Sequence, residues 1–223
     1  NEWLKGHKMN VYASQGTITK MLNIHQLFNV FAKFPEIGFI FHYRKDNDLP
    51  EKEKIPKNIL LKLWVPQNDL LGDSKLDFFI THGGLNSVYE ALYHGKPLIV
   101  LGTTIDQVNN AQLVKHRKCG YAFTRAAGIN EESLEFAIKD VLANLEEYKK
   151  NAQKMSKIMK QSNAEEEFYY WIKYTLFAGY EHLLILAITK YNHYQLFNFN
   201  VFIHISHSCF MKFFLADTIL LHK

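Results

Sequence analysis

The sequence predicts an α/β fold: a Rossmann-like, doubly wound parallel sheet followed by extra C-terminal helices. Two observations carry this. Short apolar runs bounded by Gly, Pro or charged residues alternate with longer segments whose apolar residues recur at helical spacing. Within those runs there is no strict polar alternation, as expected of strands buried on both faces between two helical layers. At 223 residues the chain can bury a sizeable core, and one main domain is expected.

Residues 1–8 are polar and read as the remnant of a linker. MNVYAS (Met9 to Ser14) is the first strand, closed by a turn at Gly16-Thr17. From Ile18 to Phe34, apolar residues at Met21, Leu22, Ile24, Leu27, Phe28, Phe31 and Ala32 predict a helix that Pro35 ends. IGFIFHY (Ile37 to Tyr43) is a second buried strand, and the charged loop RKDNDLPEKEKIP separates it from a third, ILLKLW (Ile59 to Trp64). The alternation continues with LDFFIT (Leu76 to Thr81), a helix from about Leu85 to His94, PLIVL (Pro97 to Leu101), a helix from about Val108 to Lys118, and GYAFT (Gly120 to Thr124). After Gly128, Asn130 caps a further helix whose first turn holds Glu131 and Glu132, which suits the positive end of the helix dipole. Glu146 to Gln161 is a lysine-rich helix with a solvated face, and Glu165 to about Ile188 is aromatic and then apolar. Residues 9–163 therefore form the sheet domain and 164–223 a C-terminal helical and apolar segment.

The totals exclude several classes. With 26 Lys+Arg against 22 Asp+Glu, the net charge of +4 is mild and the basic residues are scattered, which argues against a nucleic-acid partner. Cys119 and Cys209 lie far apart and make neither a C-x-x-C pair nor a disulfide framework. The chain opens on Asn1 without a leader and reads as a piece of a longer product. Its last stretch, FNFNVFIHISHSCFMKFFLADTILLHK, is long enough to span a bilayer but holds His204, His207, Lys212 and Asp217, and charges at mid-span cost roughly 2.5 to 3.5 kcal/mol each. A packed or interfacial segment is the alternative, so membrane contact stays open. Asp46-Asn47-Asp48 is a D-x-D triplet in a charged loop, and His204 with His207 lacks a matching ligand pair, so no metal site is expected.

The chemistry concentrates between Trp64 and Gln107. Gly83-Gly84 follow a buried strand and open a helix, where backbone N–H groups favour phosphate, although a tight turn alone explains a glycine pair. His82 can donate to a phosphate oxygen or serve as a local structural histidine. Asn86 and Glu90, four residues apart, share a helix face with Ser87 beside them. A carboxylate there can accept both ribose hydroxyls, or the residues are a polar surface pair. Trp64 ends a strand before Pro66, which offers an indole for a flat base to stack on unless it lies in the core. Asp106-Gln107 follows PLIVL and can bind sugar hydroxyls, or Asp106 is a helix cap.

The order W-x-x-Q (Trp64, Gln67), Leu70-Leu71, FFITHGG-x-x-S (Phe78 to Ser87), E-A-L (Glu90 to Leu92), G-x-P (Gly95, Pro97) and DQ (Asp106, Gln107) resembles the signature of the UDP-glycosyltransferases, most of all the animal UDP-glucuronosyltransferase branch. VYASQGT (Val11 to Thr17) is similar to that family's phosphate loop, and NAQLV (Asn110 to Val114) to its helix after DQ. Gln15 replaces an apolar residue, and Gly102-Thr103-Thr104-Ile105 replaces a proline-containing lead into DQ. The resemblance implies the C-terminal, donor-binding half of a GT-B fold. By it, Trp64 would stack on uracil, Gln67 would meet the base or ribose, and Glu90 would hold the ribose hydroxyls. His82, Gly84, Asn86 and Ser87 would bind the diphosphate with help from Ser14 and Thr17, while Asp106 and Gln107 would grip the hexose. The implied reaction is inverting transfer of a hexosyl or glucuronosyl group from a UDP-sugar to a small lipophilic acceptor, without cofactor or metal, at the lumenal side of the endoplasmic reticulum membrane. The general base would lie in an N-terminal acceptor half. Alternatives are a truncated UDP-sugar-binding module or partner subunit, including one that oligomerises with full-length relatives, and a remnant that binds nothing.

Overall fold

Six strands pair in parallel throughout: β1 Met9–Ser14, β2 Ile37–His42, β3 Ile59–Lys62, β4 Phe78–Thr81, β5 Leu98–Leu101 and β6 Gly120–Phe123. Their order across the sheet is β3-β2-β1-β4-β5-β6, so the chain winds outward from β1 in one direction and from β4 in the other. The structure is a computed structural model that describes residues 2–16, 23–44, 49–124 and 128–179. The helices are α1 Ile24–Phe31, α2 Gln67–Gly72, α3 Leu85–Tyr93, α4 Ile105–His116, α5 Glu131–Ala143, α6 Leu145–Lys160 and α7 Ala164–Ala178. This is the expected Rossmann-like α/β architecture.

The sheet is buried on both faces, which explains why its strands read as continuous apolar runs. Alternate side chains Val11, Phe39, Phe41, Phe78, Ile80 and Ile99 meet α1 and α5 in one core. Phe31 of α1 lies flat on Phe39 with ring centroids 4.1 Å apart, and each such fully buried ring contributes about 1.5–3 kcal/mol. On the other face Tyr12 stacks on Phe79 at 4.7 Å, and α3 packs beside α2, α4 and α6. Asn58, just before β3, is buried, and its amide donates to the carbonyls of Phe31, Phe34 and Ile37, tying the end of α1 to the start of β2.

Several elements differ from the sequence reading at their ends. β3 stops at Lys62, so Leu63 and Trp64 leave the sheet ahead of Pro66. The short α2 follows Pro66 in a stretch for which no helix was expected, and α4 begins at Ile105, three residues early. Asn130 caps α5 as expected: its Oδ1 accepts from Ser133 N and its own N donates to Ser133 Oγ, both at 2.9 Å. Near the amino end, Trp3–Lys5 forms a 3₁₀ turn with Leu4 buried, and Asn10 Nδ2 donates to the Leu4 carbonyl.

The contacts divide the chain into two compact units, Asn1–Gln161 and Ser162–Lys223. In the second, α7 exposes Phe168, Tyr169, Tyr170, Leu176 and Phe177. Among the described residues no helix is long and apolar enough to cross a membrane. Thr17, Asp46-Asn47-Asp48 and the stretch containing His204 and His207 lie outside the described residues.

Candidate functional site

At a sheet whose winding reverses between two neighbouring strands, the loops after those strands part to opposite faces and leave a crevice at the carboxyl edge. Here the reversal falls between β1 and β4. The crevice above them has a volume of about 890 Å³. Ser14, His82, Gly84, Asn86 and Ser87 line one part of it, and Trp64, Gln67 and Glu90 another. Residues up to 76 positions apart in the sequence, Ser14 to Glu90, are thus gathered at one edge. Tyr12, His42, Tyr43 and Arg44 also line it, although nothing in their sequence context had singled them out.

The part nearest β1 and β4 is built around His82. Its imidazole sits in a slot between two glycines: a Cβ on Gly16 would come within 2.6 Å of His82 Cε1, and one on Gly84 would run into Nε2. Gly16 also has φ +74°, a backbone conformation that side-chain-bearing residues rarely adopt. Ser14 Oγ accepts from Gly16 N at 3.2 Å and lies 3.4 Å from His42 Nδ1. Thr81 Oγ1 accepts from Gly83 N, and Asn110 Nδ2 donates to the Gly83 carbonyl at 2.9 Å, which fixes the turn. Gly84 is the N-cap of α3 and has no side chain with which to cap the first-turn N–H groups of that helix.

Burial holds the His82 imidazole below its ordinary value of 6.5, with the charge of Asp106 working in the opposite direction. Burial likewise lowers His42, against a backbone bond at Leu63. It also lowers His94, with Lys160 and Lys96 acting in the same sense and Glu90 and Asp69 against them. All three therefore bind a proton more readily when the chain unfolds, so folding stability is full above about pH 6.5 and falls as pH drops below it. Thermal melts are expected to show the midpoint falling between pH 7 and pH 5, with His82→Gln flattening the slope.

The other part of the crevice is a polar chain. Gln67, in the first turn of α2, donates from Nε2 to Glu90 Oε2 at 2.8 Å and to Ser87 Oγ at 3.3 Å, while its Oε1 accepts from the Tyr12 hydroxyl at 3.3 Å. Gln67 thus brings Ser87 and Glu90 of α3 together, and Asn86, four residues before Glu90, lines the same crevice. Trp64 is 80% exposed, which excludes the core reading and leaves its indole available at the rim of the crevice.

Asp106 and Gln107 are placed differently from the rest, in the first turn of α4 rather than ahead of it, and neither lines the crevice. Gln107 is buried, and its Oε1 accepts from Thr103 N, Thr103 Oγ1 and Thr104 N. Asp106 is exposed and accepts from Thr104 Oγ1 at 2.6 Å. The pattern Thr104-x-x-Gln107, a capping-box spacing, was the available signal for this earlier helix start. Among the described residues no cluster of His, Cys, Asp and Glu could hold a metal ion.

A family model described as UDP-glucoronosyl and UDP-glucosyl transferase matches residues 5–216. The chain belongs to the UDP-glycosyltransferase family. It is 30% identical over 184 residues to the Xenopus laevis UDP-glucuronosyltransferase 3A1, covering 82% of this chain and 34% of that one. To the rabbit (Oryctolagus cuniculus) UDP-glucuronosyltransferase 2C1 it is 37% identical over 144 residues, 62% of this chain and 28% of the relative. Among solved structures, Os79 of O. sativa in complex with UDP superposes with a TM-score of 0.63 and 26% identity, over 70% of this chain and 37% of that one. The fold is thus the GT-B type of Rossmann-like sheet that the resemblance implied. This UDP-glycosyltransferase chain spans only 27–39% of the length of the curated relatives it matches.

Proposed function

We propose that the chain is the donor-binding half of a UDP-glucuronosyltransferase-like enzyme and that its crevice holds UDP. In this reading Trp64 stacks on uracil, and Gln67 and Glu90 take the ribose. The diphosphate lies against His82, Gly84, Asn86 and Ser87 at the start of α3, with Ser14 and Thr17 opposite, and the hexose lies beyond the crevice, towards Asp106 and Gln107 at the start of α4. The observation that carries it is the conjunction at one sheet edge of an oriented carboxylate, Glu90 held by Gln67, and a histidine slotted between two glycines. A nucleoside diphosphate needs both: an acceptor for vicinal hydroxyls and donors for an anion. The solved relative in complex with UDP gives the same ligand independent support.

Inverting transfer to a small lipophilic acceptor would need a general base from residues outside this chain, and neither cofactor nor metal enters the scheme. The relatives bear names with different sugars, since a human 2-hydroxyacylsphingosine 1-beta-galactosyltransferase is 32% identical over 150 residues. The sugar is therefore best read as a hexose or hexuronic acid. In this reading the chain sits at the lumenal side of the endoplasmic reticulum membrane. A second reading is a UDP-sugar-binding module that does not turn over alone or that pairs with a full-length relative.

Calorimetry of the 223-residue chain with UDP, UDP-glucuronic acid, UDP-glucose and UDP-galactose tests the site. Heat of binding is expected with UDP, together with fluorescence quenching that is lost in Trp64→Phe. A chain that melts cooperatively yet shows neither heat nor quenching would overturn the reading. Transfer by the chain alone, without an acceptor half, would rule out the module.

A further inference from the structure

We propose that Tyr12 is a positioning residue of the ribose pocket: its buried phenol anchors the accepting end of the Gln67 amide, and through it the Glu90 carboxylate, so that the site distinguishes ribose from 2′-deoxyribose. The inference rests on the assignment of Glu90 to the ribose and adds to it the group that sets its geometry.

Tyr12 is 2% exposed, held flat on Phe79 in the middle of β1, so its ring has no freedom to turn away. Its hydroxyl reaches the floor of the crevice and lies 3.3 Å from Gln67 Oε1. A glutamine amide has one accepting end and one donating end, and the two can exchange by a half-turn. Here the far end lies 2.8 Å from a carboxylate oxygen, which requires a donor. The reversed amide would set its carbonyl oxygen against Glu90 Oε2. The Glu90 carboxylate, which can only accept, sets the amide with Nε2 towards it, and the Tyr12 phenol, donating to Oε1, holds the other end in place.

Burial, with the negative charge of Glu90 behind it, pushes the Tyr12 hydroxyl up to about 12, and a bond with Ser14 only partly opposes this. The phenol thus keeps its proton at every physiological pH and remains a donor. The result is a chain of one polarity, Tyr12 to Gln67 to Glu90, in which Glu90 Oε2 is engaged and its second oxygen is left for a ligand hydroxyl. Bonds that run in one direction reinforce each other. Without the phenol, the Gln67 carbonyl would face an apolar ring, and the amide would be anchored at its Glu90 end alone.

The test is calorimetry of the full chain with UDP and with 2′-deoxy-UDP. The parent is expected to prefer UDP. Tyr12→Phe keeps the ring and its stacking, and is expected to weaken UDP binding by roughly five-fold or more while weakening 2′-deoxy-UDP far less, so the preference ratio falls towards one. In a Gln67→Leu background, which is expected to have lost the ratio already, Tyr12→Phe should add nothing. A purely structural role would weaken both ligands equally and leave the ratio intact, and that result overturns the proposal. Equal falls in the ratio with and without Gln67 overturn it too. If Tyr12→Phe melts early, Gln67→Leu decides alone: a variant that still binds UDP with the parent's ratio overturns the relay. A parent that binds UDP without preferring it over 2′-deoxy-UDP instead sinks the ribose assignment itself, and the proposal with it.

Discussion

Glu90→Ala is expected to weaken UDP binding by at least about 100-fold, beyond detection by calorimetry at ordinary protein concentrations. Two hydroxyls donating to one carboxylate are charge-assisted bonds, each worth roughly 1.5–3 kcal/mol. Removing the side chain would delete both bonds proposed with the ribose and strand the Gln67 amide that now spends its donor on Glu90 Oε2. Alanine is the best helix former and the site lies mid-α3, so the melting midpoint should hold near that of the parent. Glu90→Gln, which keeps the shape and loses the charge, should fall between the two. Parent-like affinity in Glu90→Ala would show that the ribose lies elsewhere.

The largest effect on stability is expected from Gly120→Ala. Gly120 opens β6 with φ +149°, and a Cβ there would overlap the carbonyl oxygen of Leu98 in the neighbouring strand. The paired Leu98 N lies 2.7 Å from the same point, so no small shift relieves the contact. The strand must either move away from β5 or give up its first rung, where Leu98 N donates to the Cys119 carbonyl at 3.0 Å. A cost of roughly 3 kcal/mol or more follows, which for a domain of this size lowers the melting midpoint by about 6–12 °C. Differential scanning calorimetry would measure it, and a midpoint within about 2 °C of the parent would contradict this account of the close approach.

Much of the architecture could be read from residue order because buried parallel strands write themselves as apolar runs. IGFIFH and LIVL could hardly be anything else, and Asn130 announced α5 by its cap. What escaped were features set by single hydrogen bonds or by tertiary space. The six residues of α2 follow a proline that reads equally well as a turn, and no periodicity develops over so short a span. The start of α4 depends on Gln107 reaching back to Thr103 and Thr104. For the same reason Gln107, expected in the crevice, spends its amide oxygen within its own loop. Most of the candidate site was legible because its glycines, Trp64, Glu90 and His82 follow a recognisable order. Tyr12 was not, since in MNVYAS a tyrosine is simply another residue suited to a buried strand, and only the folded sheet brings its hydroxyl to Gln67 from 55 positions away.

That distance has a kinetic side. The central β1–β4 pairing joins segments about 67 residues apart, with α1, β2, β3 and α2 interposed. Non-local parallel pairing of this kind is slow to close, so helices and outer strands can gather before any crevice exists. The slot that Gly16, Gly84 and His82 share is complete only once β1 and β4 have paired. A bound ligand would therefore act as a clasp across the seam, and hydrogen exchange should report it as added protection along Val11 to Ser14 and Phe78 to Thr81.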